Sequence, residues 1–103
     1  MIKIIDGKKY DTNTAKKIHY WNNGIYNDFR ECEETLYKTK KSTYFLYGEG
    51  GAMSKYAQFA GSNSMQGGLK ITPITGQEAF EWLCTHEGEK AAELEFSNFI
   101  EEA

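Results

Sequence analysis

Apolar and polar positions along the chain change rhythm several times, and each rhythm predicts a different element. In IKIIDGKKYD two strand-like runs flank Asp6-Gly7, a pair that supplies the positive φ values of a type I′ turn, so a hairpin opens the chain. DTNTAKKIHYWNNG places Ala15, Ile18 and either Trp21 or Asn22 at helical spacing behind Asp11 or Thr12 as N-cap, with Asn23-Gly24 as a stop, and predicts a helix over 13–22. A second hairpin follows: Leu36 to Lys38, a polar turn at Lys40 to Ser42, and Thr43 to Tyr47, rich in β-formers. Bulky groups on both faces of that last run predict either a strand covered on both sides or tyrosines left at a working surface.

From Gly48 to Gly68 lie six of the ten glycines, so this stretch reads as loop around one helical turn anchored by Tyr56 and Phe59. GLKITPI is a final strand, and Pro73 places it at a sheet edge or a strand end. TGQE at 75–78 is a capping box, which starts a helix whose apolar face is Ala79, Phe80, Leu83 and Cys84 and which Gly88 interrupts. Ala92, Phe96, Phe99 and Ile100 form the stripe of a second amphipathic helix whose other face is glutamate. With no internal repeat or linker, residues 1–103 read as one domain of the α+β class: a small antiparallel sheet of about four or five strands in hairpins, two or three helices, and a helical C-terminus.

Composition adds limits. At 103 residues one core is expected, built largely from fifteen aromatic side chains. No apolar run reaches the ~20 residues of a membrane span, and the N-terminus turns polar after four residues, so a soluble, cytoplasmic chain is expected. Cys32 and Cys84 have no framework spacing and read as reduced, buried small hydrophobes. The net charge of −3 conceals an asymmetry: residues 1–76 carry +4 and residues 77–103 carry −7. Such segregation bears on partners more than on fold.

Candidate chemistry narrows quickly. GEGGAMSK resembles a phosphate cradle only at first sight, because Lys55 stands four residues past Gly51, no Ser or Thr follows it, and Glu49 sets a negative charge in the loop. Neither GxGxxG nor any zinc-ligand spacing occurs, so no metal and no small-molecule cofactor is expected. A Cys–His nucleophilic pair needs Cys32 to meet His19, or Cys84 to meet either histidine, in space. The paired carboxylates of ECEE and of residues 87–95 leave acid–base chemistry open by residue type; the helical glutamates suit either solvation or, as Glu87, Glu89, Glu93, Glu95, Glu101 and Glu102, an anionic surface for a basic partner. Lys8, Lys9, Lys16 and Lys17 form one basic group and Lys38, Lys40 and Lys41 another; with Tyr37, Tyr44, Tyr47 and Lys55 the second resembles a single-strand nucleic-acid surface, although a pI near 5.4 opposes it. Lysines beside a hairpin turn also serve as edge protection.

The ordered strings DGKKYDTNTA, YWNNG, DFRECEETLYKTKKSTYFLYGEGGAMSKYA and GGxKIxPITxxEAxEWL (x being any residue) resemble a set of short proteins carried on phages, plasmids and integrative elements of Gram-positive bacteria, over nearly all of residues 5–83. The chain is also similar to type II-A anti-CRISPR proteins. That resemblance implies a non-enzymatic inhibitor that acts in the bacterial cytoplasm, binds the RNA-guided type II CRISPR nuclease together with its guide RNA, and interferes with their assembly. It brings no catalytic motif. The glycine-rich segment, with Tyr47, Glu49 and Lys55 beside it, joins Glu87, Glu89, Glu93 and Glu95 as the candidate contact surface.

Overall fold

The computed structural model describes residues Met1–Ala103 as an α+β fold built on a four-stranded antiparallel sheet. Strands β1 (Ile2–Ile5) and β2 (Lys8–Asp11) form the opening hairpin, with Asp6 at φ 51° and Gly7 at φ 76° in its turn. The main sheet consists of β3 (Lys16–Asn22), β4 (Cys32–Lys38), β5 (Tyr44–Gly50) and β8 (Gly68–Ile74), in the order β3-β4-β5-β8. Between β5 and β8 a short arm carries β6 (Gln58–Phe59) and β7 (Met65–Gln66). Two helices, α1 (Gly76–Thr85) and α2 (Glu89–Glu95), and a 3-10 turn at Ser97–Phe99 complete the chain. No helix is long and apolar enough to cross a membrane.

The helix predicted over 13–22 is a strand. Asp11 starts a turn instead of a helix: its carboxylate accepts the Asn13 N–H at 2.9 Å and its carbonyl the Ala15 N–H at 3.1 Å. Beyond the turn, pairing with β4 shifts register between Lys17 and His19. The extra residue lets Ile18 and Trp21, three apart, pack against the same core cluster, and so copies a helical period within a strand. β-branched and aromatic residues at 18, 20 and 21 suit the extended form.

Strand alternation gives the sheet two different faces. On one, Leu36 of β4 with Leu46 and Tyr44 of β5 packs beneath Ala79, Trp82 and Leu83 of α1, Ala92 of α2 and Phe96. On the other, Phe45 and Ile71 are covered by Tyr10 of the hairpin, whose ring meets Phe45 edge-on at 5.5 Å. Tyr37 stacks on the same phenylalanine at 5.2 Å. The sheet therefore divides the expected single core into two clusters, and Phe45 is sealed from both sides. Pro73 lies on β8, an edge strand, where its missing N–H costs no ladder bond.

The capping box of α1 forms as predicted: the Glu78 N–H donates to Thr75 Oγ1 at 3.1 Å and the Thr75 N–H to Glu78 Oε1 at 2.9 Å. Trp82 replaces Cys84 on the buried face, and Cys84 is exposed, because the helix turns its 79–82–83 stripe toward the sheet. The second helix ends at Glu95, so Phe99 and Ile100 fall on the 3-10 turn and the extended tail and remain exposed at 46% and 42%. Residues 51–57 form turns rather than a helix; Tyr56 is an anchor, but Phe59 sits on the arm at 73% exposure.

Candidate functional site

Two carboxylates adjacent in sequence define the two sides of the sheet. Glu34 points toward the helices and is 1% exposed. Its Oε1 accepts the Trp82 indole N–H at 3.0 Å and faces His86 Nε2 at 3.3 Å; its Oε2 lies 2.6 Å from Lys55 Nζ and accepts the Tyr56 hydroxyl. Burial pushes the carboxyl up, but the hydrogen bonds from Lys55, Trp82 and Tyr56 outweigh burial and hold it below the ordinary range. The same contacts raise the Tyr56 hydroxyl, through burial first and Glu34 second. Tyr56 reaches Glu34 by lying across Gly48, where any Cβ would overlap its ring. Lys55 is thus an anchor of the 51–57 turn rather than a free contact, although its side chain remains 61% exposed.

Glu33 points the other way, toward the face of the sheet that carries the hairpin. It stands directly across from Glu49 in the β4–β5 register. Like charges opposite each other destabilise a sheet, and no lysine or arginine neutralises this pair. The two carboxyls share a hydrogen bond that lifts Glu49 above the ordinary carboxyl range and, with the Tyr20 hydroxyl, draws Glu33 below it. Tyr20 donates to Glu33 Oε2 at 2.5 Å, and that bond raises the phenol to about 12. Tyr47 donates to Glu49 Oε2 at 3.5 Å, and Leu69, opposite Glu49 on β8, is 41% exposed. The result is a platform of two tyrosines, two carboxyls and an exposed leucine beside the hairpin.

The sequence-predicted contact residues are split among these regions. Tyr47 and Glu49 belong to the platform, whereas Glu87, Glu89 and Glu93 are exposed on the helical layer that covers the opposite face. Glu87 closes α1 at φ 60°, a left-handed position that turns its backbone out of the helix. Glu95 is removed from the free set. Its Oε1 lies 2.5 Å from Lys38 Nζ and 2.7 Å from the Tyr44 hydroxyl; burial raises the carboxyl, but these two bonds hold it low. Lys38 is consumed in the same bond, while Lys40 and Lys41 remain exposed in the β4–β5 turn. Glu101 and Glu102 lie exposed in the terminal tail.

Of the two thiols, Cys32 is buried and poorly suited to act as a nucleophile. Burial pushes the Cys32 thiol up, with Glu34 adding to the effect, so its reactive thiolate is suppressed. His19 donates from Nε2 to the His86 carbonyl at 2.9 Å and meets Trp82 edge-on, a packing role. Sequence reasoning missed Glu33, Glu34 and Tyr20 as site residues. The available signal was ECEE within a β-forming run, because alternation sends its last two glutamates to opposite faces. Compared with protein-family models, curated proteins and solved structures, the chain has no significant match.

Proposed function

We propose that this chain is an anti-CRISPR inhibitor that docks on the RNA-guided type II CRISPR nuclease and hinders guide-RNA loading. The resemblance to type II-A anti-CRISPR proteins suggests the partner class. The observation that carries the physical side is the Glu33–Glu49 pair: two half-buried carboxyls opposed across a sheet, on the same face as the Tyr10–Phe45 cluster, without an internal cation. A nuclease that grips guide RNA presents a positively charged channel. Arginine or lysine from that channel relieves the repulsion between Glu33 and Glu49, while Tyr20, Tyr47 and Leu69 supply aromatic and apolar contact. Glu87, Glu89 and Glu93 extend negative charge over the helical layer and steer the approach.

The test is the order of addition. Inhibition of target cleavage is strong when the protein meets the nuclease before guide RNA and weak when it follows; equal potency in both orders rejects the loading mechanism. Absence of any complex with the nuclease at low salt rejects the function altogether. Within a complex, Glu33→Gln with Glu49→Gln weakens binding by roughly tenfold, the effect of removing a charged contact worth about 1.4 kcal/mol.

A further inference from the structure

A concavity of about 460 Å³ lies away from both glutamate sites, between the turn of the β1–β2 hairpin and the turn joining β4 to β5. Lys8 and Lys9 line it from one side and Lys40 and Lys41 from the other. In sequence these pairs stand some thirty residues apart. Packing of Tyr10 on Phe45, and of Tyr37 on the same ring, brings the two turns together.

All four lysines are exposed, and none takes part in an ion pair. The cations that do have partners in this chain, Arg30, Lys38 and Lys55, all lie outside the cleft. Asp11 is the one acid in its wall, and its Oδ1 is engaged with the Asn13 N–H at 2.9 Å. Thr14, Thr39 and Thr43 stand among the other lining residues. Four ammonium groups around one concavity repel one another, and a bound polyanion reverses that cost. Lysines as point charges with threonine hydroxyls as short-range donors are the usual means of holding phosphate oxygens without reading bases.

We infer that this cleft binds the phosphodiester backbone of a nucleic-acid strand, independently of sequence and of the nuclease. It is distinct from the Lys38, Lys40 and Lys41 set expected from the sequence, because Lys38 is spent on Glu95 and the place of the third cation is taken by Lys8 and Lys9. Its location in the hairpin turns leaves the helical glutamates on the other side of the sheet, so one molecule carries a cationic and an anionic docking surface.

The experiment uses the full chain alone, with fluorescence anisotropy of a labelled 12-nucleotide single-stranded RNA and of DNA of the same sequence. Both bind, with affinities within a few-fold of each other. Four backbone contacts predict a log–log salt slope of about −2.8, or roughly 50-fold weakening between 50 and 200 mM salt. Lys8→Glu with Lys9→Glu, or Lys40→Glu with Lys41→Glu, each reduces affinity at least tenfold at low salt and lowers the slope, whereas Lys16→Glu with Lys17→Glu has a smaller effect. Circular dichroism confirms that the exposed substitutions leave the fold intact. No oligonucleotide binding at 50 mM salt, equal loss from the Lys16/Lys17 variant, or equally tight binding of poly-L-glutamate of the same charge overturns the assignment. Because no nuclease is present, this outcome is separate from that of the inhibition assay.

Discussion

Glu33 and Glu34 are neighbours in the same strand, yet one is half-buried on the face that carries the hairpin and the other is buried and held by four side chains. Strand alternation sends Glu34 beneath α1, where Trp82, Tyr56 and Lys55 occupy its lone pairs. The same alternation sets Glu33 against Glu49, with only tyrosine hydroxyls for company. β5 repeats the contrast in register: Gly48, opposite Glu34, makes room for Tyr56, and Glu49, opposite Glu33, faces the other side. A single charge type thus serves cohesion on one face and recognition on the other. The difference lies in whether cations and donors are supplied from within the chain.

Removing the inward carboxylate breaks the comparison most strongly. Glu34→Ala strands the Tyr56 hydroxyl, the Trp82 N–H and Lys55, and lowers unfolding free energy by about 3–5 kcal/mol in urea titrations; Glu34→Gln retains acceptor capacity and loses less. Gly48→Ala follows, since the new methyl group displaces the Tyr56 ring and costs about 1–3 kcal/mol, visible as a lower urea midpoint at unchanged m-value.

Acid sharpens the contrast without mutation. Glu34 and Glu95 have folded-state values below the ordinary 4.5, so their contribution is complete above that pH and is lost as pH falls through the lower folded values. Glu49 is raised and has the opposite sign: as pH climbs from the ordinary value through its folded value, the folded state must give up a proton it prefers to keep, and stability declines. Thermal melts between pH 2 and 7 therefore lose the low-pH drop in part in Glu34→Gln, while Glu49→Gln removes the mild decline above 4.5. Smallest in stability is Glu33→Gln, within about 0.5 kcal/mol of the parent. Its effect belongs to partner affinity, and a loss of several kcal/mol from this variant contradicts the division of labour between the two faces.

Much of this architecture was legible from local chemistry. Asp6-Gly7, the β-formers on either side of Lys40 to Ser42, the edge proline and the Thr75–Glu78 box each announce an element through interactions only a few residues apart. β3 was hidden because a bulge imitates helical spacing, and a bulge depends on the partner strand. The site was less legible for the same reason. Glu33 meets Glu49, and Lys8 meets Lys40, only after register and hairpin packing are set, and no short-range pattern encodes either meeting. The engagement of Glu95 by Lys38 and Tyr44 joins residues more than fifty positions apart, so an apparently free glutamate stripe contained a structural member.

Cys84 gives the molecule a practical property. It is an exposed thiol on the helical layer, whereas Cys32 is buried and held in its protonated form. A maleimide dye therefore attaches to the natural sequence at one place, on the side of the sheet away from both the paired glutamates and the lysine cleft. Nuclease and oligonucleotide can then be titrated against the same labelled sample, each reporting on a surface that the dye does not cover.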